Sequence, residues 1–145
     1  MTPTLLGRWQ TRLLLTETVG LVITLLFCGG TFGNPAGPIF FWLLQYIVLF
    51  GLGWDYLYIY IQSWRWDQDW PAALQWIAAL WEGLFIILIV EVANLKLPGT
   101  GIAPGWHLGW FMVHYGLVWL AVFITSQSFM RLIFPRWRFR GGQWL

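Results

Sequence analysis

Four carboxylates lie inside long apolar stretches of the sequence, where an ionisable side chain is costly. The sequence has 6 acidic residues in all, and the four are Glu17, Asp55, Glu82 and Glu91. A charge at the centre of a bilayer costs about 3 kcal/mol on insertion scales, so such a residue normally faces protein or water. These carboxylates are therefore the first candidates for binding a ligand, carrying a proton or joining helices.

Counting residues from the ends of the apolar stretches predicts two polar groups. We expect Glu17, Asp55 and Arg131 to lie at a similar depth and to form a buried ion pair that links three helices. We expect Glu82 and His114 to lie near the middle and to share a hydrogen bond or a proton, with Glu82 neutral because a low dielectric disfavours its charged form. The alternatives are a proton path, a ligand or metal site, and simple polar contacts between helices or with another subunit.

The two histidines of the chain, His107 and His114, lie on one stripe of the last apolar stretch. Histidines seven residues apart on a helix can bind tetrapyrroles, but a haem with two histidine ligands needs a histidine from a facing helix. A haem here would need a symmetric dimer or a single histidine ligand. We therefore expect no obligatory cofactor and no metal site, with haem, pigment or quinone binding as alternatives. Common catalytic motifs such as Gly-x-Ser-x-Gly, His-Glu-x-x-His and the P-loop are missing, so the sequence favours a protein that is not an enzyme.

A polar loop with alternating tryptophans separates the second and third apolar stretches. Arg65, Trp66, Asp67 and Asp69 form a candidate docking loop, because aromatic and arginine side chains are frequent at the centre of protein interfaces. We expect Arg65 to pair with Asp67 or Asp69. The simpler alternative is a tight helical hairpin turn in which Asp69 caps the helix that begins at Pro71.

The elements that must position these residues are four apolar stretches, each long enough to cross a bilayer as a helix. They cover about residues 13–30, 38–62, 71–95 and 106–134, and glycine- and proline-rich segments separate them. The first stretch is short, and residues 4–12 can extend it as an interfacial turn, because Leu5, Leu6, Trp9 and Leu13 recur at helical spacing. With 59% hydrophobic and 10% charged residues, the 145-residue chain has too little polar surface for a water-soluble domain of its length. The predicted fold is all-α: one integral membrane domain over residues 1–145, built as an antiparallel four-helix transmembrane bundle because the connections are short.

The basic residues predict the orientation of this bundle. Only Lys96 lies on one side of the four stretches, whereas all seven arginines lie on the other side, and cytoplasmic segments are the ones enriched in basic residues. We therefore expect both termini to be cytoplasmic, in a cell membrane or an internal energy-transducing membrane. The seven are Arg8, Arg12, Arg65, Arg131, Arg136, Arg138 and Arg140.

Tryptophan is unusually frequent, with 13 copies in the chain. Because its ring is half apolar and its N–H group prefers water, tryptophan collects at membrane interfaces. The residues that we expect in such belts are Trp9, Trp64, Trp66, Trp70, Trp106, Trp137 and Trp144. The tail over residues 135–140 alternates basic and aromatic side chains, a composition that suits anionic lipid headgroups.

Three functions are compatible with these features. The first is a non-catalytic accessory, assembly or scaffolding subunit of a larger membrane complex, because polar residues exceed what one small bundle needs and soluble domains are missing. The second is an oligomeric proton-coupled carrier or channel that uses the intramembrane carboxylates and His114. The third is a pigment-, haem- or quinone-binding membrane protein. The expected partners are the lipid bilayer and either a membrane protein or further copies of the chain, with no nucleic acid.

Overall fold

The described part of the protein consists of helices joined by loops. A computed structural model describes residues 2–98, 100–102, 104–137 and 139–144, and no strand occurs among them. Four helices are long and apolar enough to cross a membrane: α1 (Leu5–Cys28), α2 (Ile39–Ser63), α3 (Ala72–Val92) and α4 (Leu108–Ile133). The predicted all-helical class with four long apolar helices is confirmed.

Helix α1 includes residues 5–12, which the sequence predicted only as an interfacial extension of the first apolar stretch. Its first residue is Leu5 rather than residue 13, and the Thr4 hydroxyl accepts a hydrogen bond of 3.1 Å from the Gly7 N–H. Threonine is a good residue for this capping position, because its oxygen satisfies one of the unpaired N–H groups of the first turn. The other helix ends lie within three residues of the predicted bounds. Because the helix starts at Leu5, Arg8 and Arg12 are part of it.

Three of the long helices are irregular. A π-helical turn occupies Thr16–Gly20 in α1, and a second π-helical turn occupies Leu88–Val92 at the end of α3. Helix α4 is interrupted at Ser128, between its segments Leu108–Gln127 and Phe129–Ile133. A π-helical turn holds more residues than an α-helical turn, so it shifts the direction of every side chain that follows it.

The largest apolar core joins the last turns of α1 and α3 to the first turns of α2 and α4. Phe27, Phe40, Leu43, Ile86 and Phe111 are among its buried residues. In water, the burial of such large side chains is the main favourable contribution to the stability of a core. In lipid, close packing between helices contributes most of the stability instead. This core fills one end of the molecule, which we call the opposite end.

The other end, which we call the terminal end, brings together both ends of the chain and the end of α2. The Thr4 N–H donates to the Gly141 carbonyl oxygen at 2.8 Å, and the Gln62 side-chain amide donates to the Pro3 carbonyl oxygen at 3.2 Å. The Trp137 indole N–H donates to the Thr11 hydroxyl at 2.9 Å. The segment that follows α4 therefore packs along the first half of α1.

The expected cap of α3 is wrong. The residue at the capping position is Pro71, in an extended conformation with φ −67° and ψ 159°, and it forms no side-chain capping bond. Asp69 lies two residues farther from the helix. Proline has no side-chain acceptor, so α3 begins at Ala72 without a polar side-chain cap.

Candidate functional site

A cavity of 390 Å³ lies between the four helices and reaches towards the terminal end. Its volume falls at the lower end of the range of about 300–1,000 Å³ that is typical of small-molecule sites. One wall comes from α1, which contributes Arg8, Thr11 and Arg12, and the facing wall comes from α4, with Val118 and Trp119 among its residues. The other polar residues that line the cavity are Thr16, Asp55, Tyr58, Asp69, Gln75, Glu82, Tyr115, Ser126, Gln127 and Arg131.

The centre of the polar wall is Arg12, which binds two carboxylates at once. Its Nε and Nη2 atoms donate to the two Asp55 oxygens at 2.8 and 3.0 Å. Its Nη1 and Nη2 atoms donate to the two Glu82 oxygens, both at 2.9 Å. Bidentate arginine–carboxylate pairs are among the strongest and most directional hydrogen bonds in proteins. We call these three residues the ion triad; it fixes α1 against both α2 and α3.

The ion triad is almost completely inside the protein. The exposed fraction of the side chain is 4% for Asp55, 9% for Glu82 and 20% for Arg12. A buried charge is tolerated when it is paired and hydrogen-bonded, and here both oxygens of each carboxylate accept bonds from the guanidinium. Arg12 therefore uses its hydrogen bonds within the chain, and it also lines the cavity.

Gly51 makes room for this arrangement. It is buried on α2, and a Cβ atom added there would overlap the Arg12 guanidinium. Only glycine lets the α2 backbone approach the arginine so closely. The residue was not among those that the sequence singled out, because a lone glycine in an apolar helix gives no signal of what packs against it.

Arg8 lies one helical turn before Arg12 and has only neutral direct partners among the described residues. Its Nη2 atom donates to the Gln62 side-chain oxygen at 3.1 Å. Its guanidinium carbon lies 4.3 Å from the centre of a Trp70 ring and 5.9 Å from the Tyr58 ring, and its Nε atom is buried without a hydrogen-bond partner. Cation–π contacts of this kind stabilise a desolvated guanidinium without neutralising its charge.

Arg131 occupies a comparable position on α4. It donates to the Gln127 side-chain oxygen, and the Gln127 amide donates in turn to the Gln75 side-chain oxygen at 3.2 Å. All three residues line the cavity. Arg131 is exposed, so this chain of amides connects the surface with the interior of the cavity.

The expected ion pair of Glu17, Asp55 and Arg131 is wrong. Asp55 binds Arg12, Arg131 binds Gln127, and Glu17 accepts hydrogen bonds of 3.1 and 3.3 Å from Gln45. The depth estimate placed the start of α1 eight residues too late. At 1.5 Å per residue, the true start moves Glu17 about 12 Å deeper than expected and brings Arg12 into the bundle.

The expected contact between Glu82 and His114 is also wrong. Glu82 binds Arg12, whereas the His114 Nε2 atom lies 2.9 Å from the Thr24 hydroxyl on α1. Glu82 lies ten residues before the end of α3, but His114 lies only six residues after the beginning of α4. At 1.5 Å per residue, they differ in depth by about 6 Å.

Neither histidine lines the large cavity. His114 is fully buried, and the rings of Phe27 and Phe40 lie 5.0 and 5.2 Å from its ring. Its Nδ1 atom has no hydrogen-bond partner among the described residues. His107 is exposed directly before α4 and makes no side-chain capping bond. Within the described residues, no group of three or more histidine, cysteine or acidic side chains is placed to hold a metal ion.

Glu91 lies at the opposite end and binds the backbone of the loop that precedes α4. Both of its carboxylate oxygens accept from the Gly105 N–H, at 3.2 and 3.1 Å. In a regular α-helix, the nine residues between Glu82 and Glu91 would place the two carboxylates on opposite sides. The π-helical turn at Leu88–Val92 has more residues per turn than an α-helix. The direction of Glu91 therefore cannot be obtained by counting 3.6 residues per turn from Glu82.

The candidate docking loop contains the expected ion pair between Arg65 and Asp67. The Arg65 Nε and Nη2 atoms donate to the two Asp67 oxygens at 3.1 and 3.0 Å, and the Asp69 N–H donates to Asp67 at 3.2 Å. The hydrogen bonds from Arg65 hold the pKa of Asp67 below its usual range. Trp66 is 95% exposed. Asp69 lines the cavity, whereas Arg65, Trp66 and Asp67 do not, so the four loop residues do not form one surface.

Two of the tryptophans that we expected in interfacial belts belong to the interior. Trp70 and Trp137 are only 8% and 6% exposed, and both line the cavity. Trp64 and Trp66, in contrast, are 76% and 95% exposed, as an interfacial position requires. Trp70 is buried because it stacks on the Arg8 guanidinium.

Comparison with protein-family models, curated proteins and solved structures finds no match to this chain. The functional argument therefore rests on the geometry of the cavity and on the chemistry of its residues.

Proposed function

We propose that the chain crosses a membrane four times as an antiparallel bundle, with its terminal end in the cytoplasm. Two observations support this arrangement. Contacts join both chain ends to the end of α2, whereas the core of the opposite end joins the last turn of α1 to the first turns of α2. The terminal end also carries Arg8, Arg65 and Arg131, and short cytoplasmic segments are enriched in basic residues.

The function that the geometry favours is the binding of a small solute in the cavity, as in a carrier or channel. The observation that carries this proposal is the cavity itself, which places the ion triad of Arg12, Asp55 and Glu82 on its wall. Buried charges inside a membrane protein usually mark a path or a site for a polar substrate. The pairing of these charges within the chain also removes the main argument for an accessory subunit, namely that the polar residues need a partner protein.

A substitution that fills the cavity tests this proposal. Ala78 lines the cavity on α3, so Ala78→Phe should remove the bound solute. Ala73→Phe is the matched control, because Ala73 is exposed on the same helix and does not line the cavity. Native mass spectrometry of each protein, extracted from its own membranes in mild detergent, should detect a small-molecule adduct in the parent and in Ala73→Phe only. An adduct that survives Ala78→Phe, or a parent protein without any adduct, would count against the proposal.

A second candidate function is the accessory or scaffolding role, and the exposed aromatic residues of the terminal end favour it. Trp66 and Phe139 are 95% and 90% exposed, and arginines adjoin both in the sequence. Such residues suit either a lipid surface or a partner protein. The same mass measurement separates the two functions: a reproducible heteromeric mass that Trp66→Ser abolishes would favour the accessory role.

A further inference from the structure

The cavity has two arginines whose charges are not used by the ion triad. Arg12 donates to both oxygens of Asp55 and of Glu82, so these two carboxylates are already engaged. Arg8 and Arg131 contact only amide oxygens and aromatic rings among the described residues. Asp69 also lines the cavity and takes part in polar contacts of its own. Two guanidinium groups with neutral direct partners are therefore available to a ligand.

The walls of the cavity differ in polarity. On α4, the residues Val118, Trp119, Val122 and Phe123 form an apolar and aromatic strip. Farther along the same helix come Ser126, Gln127 and Arg131, which are polar. A ligand that fits both parts has a polar group near the terminal end of the cavity and an apolar body along the strip.

We propose that the ligand is an amphipathic anion, with a carboxylate or phosphate group held by Arg8 and Arg131 and an apolar body packed against Trp119 and Phe123. This inference rests on the proposed solute-binding function and names the chemical class of the solute. Guanidinium groups suit carboxylate and phosphate because their N–H groups match the spacing of the oxygens. The Gln127 amide, which joins Arg131 to Gln75, adds a neutral polar group beside the anion.

Octanoate and 1-octanol are suitable probes, because they have the same chain length and differ in charge. The full chain would be placed in nanodiscs of phosphatidylcholine, and binding would be measured by calorimetry after correction for partition into empty nanodiscs. We expect octanoate to bind more tightly than 1-octanol. A hydrogen bond to a charged group contributes enough that Arg8→Gln and Arg131→Gln should each weaken octanoate binding by roughly ten-fold or more.

Arg136→Gln is the matched control, because Arg136 is exposed beyond α4 and does not line the cavity. It should leave octanoate binding unchanged. Arg131 is exposed and Arg8 is half-buried, so Arg131→Gln keeps the test valid if Arg8→Gln does not fold. Equal binding of octanoate in Arg131→Gln and Arg136→Gln would overturn the anion assignment.

The remaining outcomes separate this inference from the proposed function. If octanoate and 1-octanol bind equally and Ala78→Phe blocks both, the cavity binds solutes but has no preference for anions. If neither probe binds, the anion assignment fails, and the native mass measurement alone decides solute binding. If both probes bind and Ala78→Phe blocks neither, both proposals fail. The anion can come from a lipid or from solution, and nanodiscs with phosphatidylglycerol distinguish these sources. A phosphatidylglycerol molecule that stays bound in native mass spectrometry, and that octanoate displaces, would identify a lipid.

Discussion

At the scale of single residues, Arg12 dominates the energetics of the site. One guanidinium holds two nearly buried carboxylates through four hydrogen bonds of 2.8–3.0 Å. Removing one member of a buried ion pair typically costs about 3–5 kcal/mol, because the remaining charge loses its partner. The ion triad therefore behaves as a single unit, and whatever displaces Arg12 should disturb α2 and α3 together.

Gly51→Ala is the smallest change that should displace Arg12. The new methyl group would overlap the guanidinium, and Arg12 is too firmly held by Asp55 and Glu82 to rotate away without losing hydrogen bonds. Each lost bond to a charged group costs about 1.5–3 kcal/mol, which exceeds the gain of about 1 kcal/mol in helix propensity. We expect a clearly lower melting temperature in detergent, followed by tryptophan fluorescence.

Gly53→Ala provides the comparison on the same helix. Gly53 is exposed, and a Cβ atom added there meets no atom within 4 Å. It should gain helix propensity without a clash, so its melting temperature should equal or exceed that of the parent. If Gly51→Ala melts at the same temperature as Gly53→Ala, the close approach of α2 to Arg12 is not important for stability.

At the scale of elements, the start of α1 decides how much of the site could be predicted from the sequence. The four helices follow from apolar length alone, and most ends agree within three residues. The site could not be predicted from apolar length, because Arg8 and Arg12 were interpreted as charges that flank the first apolar stretch. With α1 beginning at Leu5, Arg12 lies about 10 Å along its helix and Asp55 about 12 Å from the end of α2, at 1.5 Å per residue. The helical spacing of Leu5, Leu6, Trp9 and Leu13 was the signal for this early start, and Thr4 is a suitable cap for it.

The first half of α1 and the segment after α4 form a second structural unit at the terminal end. A Cβ atom on Gly7 would overlap the Gly141 carbonyl oxygen and the Gly142 backbone. Backbone atoms cannot rotate aside, so Gly7→Ala should release the segment over residues 134–144. We expect trypsin to cleave after Arg136 and Arg140 faster in this variant than in the parent, as limited proteolysis with mass spectrometry would show.

Gly109→Ala is the control for this release, since a Cβ atom on Gly109 meets nothing within 4 Å. It should leave the cleavage rate unchanged. Because Trp137 lines the cavity, release of the segment should also expose the cavity wall. Equal cleavage of Gly7→Ala and the parent would show that the contact between Gly7 and Gly141 does not hold the segment in place.

At the scale of the whole molecule, charge is distributed unequally between the two ends. The terminal end has the cavity, the ion triad and the exposed Arg131, whereas the opposite end has an apolar core and the carboxylate of Glu91 bound to a backbone N–H. A cavity that reaches only towards the terminal end would exchange its ligand on one side of the membrane. If the cavity binds a solute as proposed, the side on which the terminal end lies decides where that solute comes from.

Single cysteines test the proposed orientation. In a Cys28→Ser background, the exposed residues Thr31 and Asn94 report on the opposite end, and the exposed Gln68 reports on the terminal end. A maleimide that cannot cross membranes should label Thr31→Cys and Asn94→Cys on intact cells, because the proposed orientation puts the opposite end outside the cell. It should label Gln68→Cys only after the cells are permeabilised.

Ser126→Cys extends the same experiment to the cavity, which Ser126 lines. In the proposed orientation the cavity opens to the cytoplasm and contains water, so this cysteine should be labelled after permeabilisation, and octanoate should slow the labelling. Ile124→Cys is the control, since Ile124 is 53% exposed on α4 but does not line the cavity and should face lipid, where a maleimide reacts poorly. Labelling of Ser126→Cys on intact cells would instead place the terminal end, and with it the source of the solute, outside the cell.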